Sequence, residues 1–193
     1  MQYSVHAPSQ FIRLHKDRLL PTWSRPVSSV LVILQPANCE LCEQSSAAEQ
    51  QKQILRQKFL DIGYQIAHQL QQQGHLADLF DPPTGIPLLS QPGQLRLDDV
   101  AVAHACLGYP QMVRAGCSVL VHPTWGSAVY PSTLVSSANT ETVERVVQEV
   151  QRGSGRRRHL SECHQSLTGC GRLTEYRVIT IGSDEPWPTI STL

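Results

Sequence analysis

Val30-Leu31-Val32-Ile33-Leu34 is the run on which the fold turns. Every position is apolar, so both faces of the predicted strand need a cover, as in the middle of a sheet. Gln35-Pro36-Ala37-Asn38 ends it. Outward from this strand, a long helix is predicted over residues 47–73. There Leu55, Phe59, Ile62, Ile66 and Leu70 recur at helical steps and draw one apolar stripe, and Gly74 stops the helix. Residues 76–80 read as a second strand. Asp81-Pro82-Pro83-Thr84-Gly85 then forms a turn, since aspartate accepts local backbone hydrogen bonds, proline sets φ and glycine tolerates the exit. Residues 86–89 are extended, and 90–97 are a polar loop. Asp98 caps a helix that runs to Leu107, with Asp99 at its positive end and Gly108-Tyr109-Pro110 as the stop.

The next stretch concentrates chemistry. In Val113-Arg114-Ala115-Gly116-Cys117-Ser118-Val119-Leu120-Val121-His122-Pro123-Thr124-Trp125-Gly126, a short apolar strand is framed by glycines. Cys117 stands at its entrance, and His122 and Trp125 leave at its far end. Free cysteine often packs as a small hydrophobe. His122 and Trp125 equally suit a strand cap and core filling, with Trp125 closing the turn beside His122. Residues 128–135 are a further strand, with Pro131 calling for an edge or a bulge. Pairing of the two strands would form an antiparallel hairpin around Trp125-Gly126. A helix through Val143, Val146, Val147 and Val150 starts at Asn139 or Thr140. The strand order predicts an α+β sandwich: a mixed, mainly antiparallel sheet with covering helices. The strands at 30–34 and 119–121 are expected in one sheet, under the helix at 47–73.

At the amino terminus, residues 3–26 are expected to be irregular, with Phe11, Ile12 and Leu14 in a short strand or a covering arm. Residues 1–152 are expected to form one domain. Gly153-Ser154-Gly155-Arg156-Arg157-Arg158 reads as a flexible basic link, and the remainder as a tail with one strand at 176–181.

Composition narrows the function. The 193 residues hold 16 Lys plus Arg against 16 Asp plus Glu, so no global basic field marks a nucleic-acid partner. No apolar run approaches the ~20 residues of a membrane helix, and no secretory signal opens the chain. A cytoplasmic protein with mostly reduced thiols is expected. Cys39-Glu40-Leu41-Cys42 is half of a zinc site, which Cys163 and Cys170, with His164 between them, would have to complete at an unusual spacing.

Taken together, several segments resemble the methylmalonic aciduria and homocystinuria type D protein family. They are the strand, long helix and Gly74, then Ala77-Asp78-Leu79-Phe80-Asp81-Pro82-Pro83-Thr84-Gly85, Leu107-Gly108-Tyr109, Gly116-Cys117 and His122-Pro123-Thr124-Trp125-Gly126. The likeness is clear from Ser28 to about Asn139. It implies a modified nitroreductase-like fold without a working flavin site. It also implies an adaptor, not an enzyme, that meets a cobalamin-processing protein and directs cobalamin toward client enzymes. It further implies that a family cysteine serves as a thiolate ligand to cobalt when the partner presents cobalamin. The family pattern is Gly-Cys-Cys with the first cysteine as ligand, whereas here Gly116 stands in that first place and Cys117 in the second. Cys117 is therefore the candidate ligand. Gly116 leaves room for a broad corrinoid, Arg114 favours the thiolate, and His122 and Trp125 are neighbouring cofactor-contact candidates. Two alternatives are a flavin-dependent reductase, for which no glycine-rich phosphate loop is present, and a zinc-stabilised interaction module using Cys39, Cys42, Cys163 and Cys170.

Overall fold

Val30–Leu34 does lie in the interior of a sheet, and its side chains alternate between two cores. The coordinates are a computed structural model that describes residues 1–165, without Gln44 and Ala115, and side chains as far as residue 153. Five strands form the main sheet: β1 (Gln2–His6), β2 (Ser29–Pro36), β3 (Ala77–Asp81), β4 (Ile86–Pro87) and β7 (Val129–Ser136). Their order is β1-β2-β7-β3-β4. Each of these pairs is antiparallel, so the expected mixture with parallel strands is absent among the described residues. A separate two-stranded hairpin joins β5 (Gln111–Arg114) to β6 (Cys117–Leu120).

Leu31 and Ile33 point to one core, together with Leu79 and Leu134. Two long helices cover it, α3 (Ser46–Gln72) and α5 (Thr140–Gln165). The predicted stripe on α3 is the buried face: Phe59 and Ile66 are 0% exposed, and Ile62 packs at the margin. Ser45 starts α3 by accepting a hydrogen bond from the Ala48 amide at 3.1 Å, and the Asn139 side chain does the same for Thr142 at 2.9 Å. Gly63 sets how closely α3 approaches β3, because a Cβ there would collide with the buried Leu79 side chain.

Val30, Val32 and Leu34 point the other way, toward Phe80 and Val135. The cover on that face is assembled from smaller pieces. They are α1 (Gln10–Leu14), α2 (Lys16–Leu19), the Trp23 connector, α4 (Asp99–Leu107) and Leu120 of the hairpin. The chain is thus an α+β sandwich with a helical layer on each face of an antiparallel sheet.

Four expectations are corrected. The strand at 119–121 does not share the sheet of 30–34, and it does not form a hairpin with 128–135. The reason is that β7 is an interior strand: β2 runs along its full length on one edge, and β3 pairs with Leu134–Ser136 on the other. β6 instead turns back on β5, and Leu120 tucks against the α4 side. Only a bridge between His122 and Gly126 remains at the expected turn. Pro131 is accommodated within β7 because it lies beyond the end of the β3 ladder. The amino terminus supplies an edge strand and two short helices, so Phe11, Ile12 and Leu14 are helical. Residues 153–158, expected as a link, fall inside α5, which continues to Gln165. The strand expected at 176–181 lies outside the described residues. Among the described residues, no helix is long and apolar enough to cross a membrane.

Candidate functional site

A cavity of about 590 Å³ opens where six segments converge. Its walls come from the loop at Leu41 and Cys42, the start of α3, the Asp81–Gly85 turn, the α4 N-terminus, and facing parts of β6 and β7. The turn is built around Asp81. Its carbonyl accepts from the Thr84 and Gly85 amides, and its Oδ2 accepts from the Thr84 hydroxyl at 2.8 Å. Oδ1 accepts from Arg56 Nε of α3 at 2.6 Å, so the turn is tied to the long helix. The Asp-Pro-Pro-Thr-Gly segment therefore works as a brace for one cavity wall.

Across the cavity, Asp98 and Asp99 have different roles. Asp98 caps α4 as predicted, with Oδ1 accepting from the Val100 and Ala101 amides at 2.9 and 3.2 Å. Asp99 was expected at the helix end as a favourable charge. It is instead only 7% exposed and lines the cavity. Burial is the main cause that pushes its carboxyl up to about 8, and the Asp98 and Asp81 carboxylates add to the shift. Desolvation thus opposes the helix dipole and favours the protonated carboxyl. The Thr133 hydroxyl of β7 moderates that shift, yet neither Asp99 Oδ1 nor Thr133 Oγ1 meets hydrogen-bond geometry with a partner among the described residues. Tyr130 of β7 lines the same cavity, and burial raises its phenol well above the usual range.

Cys117, Ser118, Val119 and Leu120 form the hairpin side of the cavity. Cys117 is exposed at the start of β6, as its place at a strand entrance implied. Gly116 precedes it at φ +80°, a backbone state that favours glycine, and a Cβ there would meet only open space. Arg114 is the ladder partner of Cys117, and its guanidinium pairs with Glu40 of the neighbouring loop. The hairpin tip is thereby tethered to the Cys39–Cys42 segment.

The structure does not bring His122 and Trp125 into this group. They sit past the other end of β6, where His122 is buried and Trp125 half-buried. The two rings stack at 4.0 Å, and Tyr109 meets His122 edge-on at 5.3 Å. His122 Nδ1 accepts from the Thr124 and Trp125 amides at 3.1 and 3.2 Å, while Nε2 lies 2.9 Å from Gln2 Oε1. Accepting twice at Nδ1 places the proton on Nε2, which donates to Gln2. This imidazole locks the turn and anchors β1 to it.

Cys42 is buried and Cys39 partly buried in the loop before α3. Cys163 and His164 belong to the last turns of α5, where side chains are not described, and Cys170 lies outside the described residues. Among the described residues, no cluster of three or more His, Cys, Asp or Glu side chains is arranged to hold a metal ion. Burial pushes the Cys106 thiol up to about 11, so it behaves as a packed hydrophobe.

Asp99, Tyr130 and the cavity itself escaped the sequence reading. The one available signal was the doubled aspartate at 98–99, where a cap needs only one.

Comparison with known proteins gives the context of this site. The family model described as methylmalonic aciduria and homocystinuria type D protein matches residues 2–151. Proteins named cobalamin trafficking protein CblD from Mus musculus and Homo sapiens are each 20% identical to this chain over 142 residues. The Gallus gallus protein of that name is 19% identical over the same length. The match covers 74% of this chain and 48% of each relative, so the chain spans about half the length of the curated relatives it matches. With strand, brace, hairpin and turn all inside the matched span, the chain belongs to the methylmalonic aciduria and homocystinuria type D protein family.

Proposed function

We propose that this chain is a cobalamin-trafficking adaptor that offers Cys117 to cobalt while a cobalamin-processing partner holds the corrinoid. The carrying observation is the placement of Cys117. It is exposed at the tip of a hairpin that stands apart from the main sheet, on the rim of an open cavity. A thiolate is a soft donor suited to a transition metal. Family membership and the printed names of the relatives support the cobalamin part of this reading. The role is non-enzymatic, and client enzymes receive the cofactor from the assembly. The modified nitroreductase-like fold, the lack of a flavin site and a cytoplasmic setting belong to the same proposal by family likeness. Helices on both faces of an antiparallel sheet support its fold component.

Alone, the hairpin tip would hold cobalamin weakly, since one thiolate on an open rim encloses little ligand surface. The test is an absorption titration of cobalamin with this chain, in the presence and absence of a cobalamin-processing partner. A thiolate-dependent spectral change is expected only with the partner. Cys117→Ser should abolish it while leaving partner binding and folding intact, and Cys42→Ser and Cys106→Ser should retain it. An unchanged spectrum in the Cys117→Ser protein would refute the ligand role.

A further inference from the structure

Cobalt ligation uses one thiol of the cavity, and the cavity holds two. Cys117 lines it from the hairpin and Cys42 from the loop before α3, and both are free. One carboxylate oxygen links their surroundings. Glu40 Oε2 accepts from the Cys42 thiol, whose Sγ lies 3.9 Å away, and from the guanidinium of Arg114. Arg114 in turn faces Cys117 across the β5–β6 ladder. Contacts therefore run without a gap from Cys42 through Glu40 and Arg114 to the strand position opposite Cys117. The two sulfurs differ in access, since Cys117 is exposed and Cys42 is only 6% exposed. The hairpin is a two-stranded sheet of its own, so its tip can close on the loop without breaking a ladder of the main sheet. Cys39, the sequence neighbour of Cys42, packs against Leu41, Leu55 and Tyr130 and does not line the cavity.

We propose that a hydroperoxide converts Cys117 and Cys42 into a reversible disulfide across the cavity, and that this bond withholds Cys117 from cobalt. The withholding rests on the reading of Cys117 as the cobalt ligand; the bond itself does not. In the first step the exposed Cys117 thiolate attacks hydrogen peroxide. An S–O bond forms, the O–O bond breaks, and the departing hydroxide takes the proton that the thiol gave up. Cys117 is then a sulfenic acid. In the second step the Cys42 sulfur attacks the Cys117 sulfur. The S–S bond forms, the S–O bond breaks, and hydroxide leaves with the Cys42 proton as water. The two thiols lose two electrons, and the peroxide gains them. Burial keeps Cys42 from bulk peroxide, which gives it the resolving part, and access gives Cys117 the attacking one. An added thiol reverses the bond by exchange.

The test treats the reduced, desalted full chain with hydrogen peroxide, blocks the remaining thiols with iodoacetamide and maps the peptides without reduction. A cross-linked Cys42–Cys117 peptide is expected, and dithiothreitol should remove it. Cys39→Ser should keep the cross-link. Cys42→Ser should leave Cys117 as a sulfenic acid that dimedone traps in higher yield than in the wild-type chain. The wild-type map decides the matter whether or not the variants fold. Cys117 joined to any other cysteine or to a second copy, a Cys39–Cys42 bond in place of the expected one, or no cross-link at all would overturn the proposal, as would equal dimedone yields. With the cobalamin-processing partner present, the oxidised chain should lose the thiolate-dependent cobalt spectrum and regain it after reduction and desalting. A mapped Cys42–Cys117 bond in a chain that keeps that spectrum overturns the ligand reading and the withholding, with the disulfide intact. A spectrum lost in the Cys117→Ser protein, beside a wild-type chain that forms no Cys42–Cys117 bond, overturns the disulfide alone.

Discussion

Replacing His122 by glutamine should lower stability at pH 7.5, and the loss should shrink as the solution is acidified. The imidazole makes three side-chain hydrogen bonds, two at Nδ1 and one at Nε2, and stacks on Trp125. The two Nδ1 contacts are long, so together with the Gln2 bond and the ring stack they amount to about 2–3 kcal/mol. Burial holds the imidazole below its usual pKa, and protonation at Nδ1 would aim an N–H at two backbone N–H groups. The folded state therefore binds fewer protons here than the unfolded chain does. A depressed folded pKa leaves the His122 contribution fully present above the unfolded value of about 6.5 and removes it as pH falls through that value toward the folded one. For an unfolded pKa of about 6.5, the wild-type protein can lose no more than about 1.4 kcal/mol from this group between pH 7.5 and 5.5.

Other groups titrate as well. Asp99 and Asp78 have raised pKa values, so their contribution has the opposite sign and weakens the fold as pH rises. His6 is lowered like His122. These backgrounds cancel in the difference between wild type and His122→Gln. The assay is urea unfolding of both proteins at pH 7.5, 6.5 and 5.5. A gap that stays constant or widens on acidification would refute the neutral, doubly accepting imidazole.

Gly63→Ala should destabilise the protein by about 1–3 kcal/mol through overpacking against Leu79, measured as a shift in urea midpoint with an unchanged slope. Arg56→Ala removes the partner of Asp81, whose side chain is 9% exposed, and should cost about 2–3 kcal/mol in the same assay. That is less than for a fully buried pair, because Arg56 retains 30% exposure. Trp125→Ala should cost about 1–2 kcal/mol, below the value for a fully buried tryptophan, since the ring is half-buried and stacked on one neighbour. Iodoacetamide at pH 8 should label exposed Cys117 well before Cys106, whose thiol is raised to about 11; mass mapping of the labelled peptides checks the order.

What the sequence disclosed follows from how local each signal is. The α3 stripe, the Asp98 cap and the Asp81–Gly85 turn are decided by neighbours a few residues away, and each stands where its residues placed it. The all-apolar run at Val30–Leu34 also reported its own burial on two faces. Strand partners are a different matter, because an apolar strand states that it needs a neighbour and not which one. β7 accepts β2 and β3, separated from it by long stretches of chain, and leaves β6 to pair with β5. Nothing in Gln111-Met112-Val113-Arg114 announces that strand: all four residues are exposed, so no buried alternation marks it.

The same distinction separates the thiol from the cavity behind it. Cys117 was legible because a glycine, a cysteine and an apolar run are contiguous, and the exposure of the thiol follows from its place at the strand entrance. Asp99 was not, because its chemistry comes from what segments distant in the chain do around it. Read locally, an aspartate one residue past an N-cap is a stabilising charge on a helix dipole worth a few tenths of a kcal/mol. In place, burial beside the Asp81 turn and β7 desolvates it and disfavours its charge. A dipole that favours the charge is then opposed by a desolvation cost of several kcal/mol. Asp98, one residue earlier, stays at the surface and keeps the capping role that the sequence assigns it. The two adjacent carboxyls therefore differ: Asp98 caps α4, and Asp99 lies buried on the wall of a cavity that Cys117 also lines, its pKa raised by desolvation.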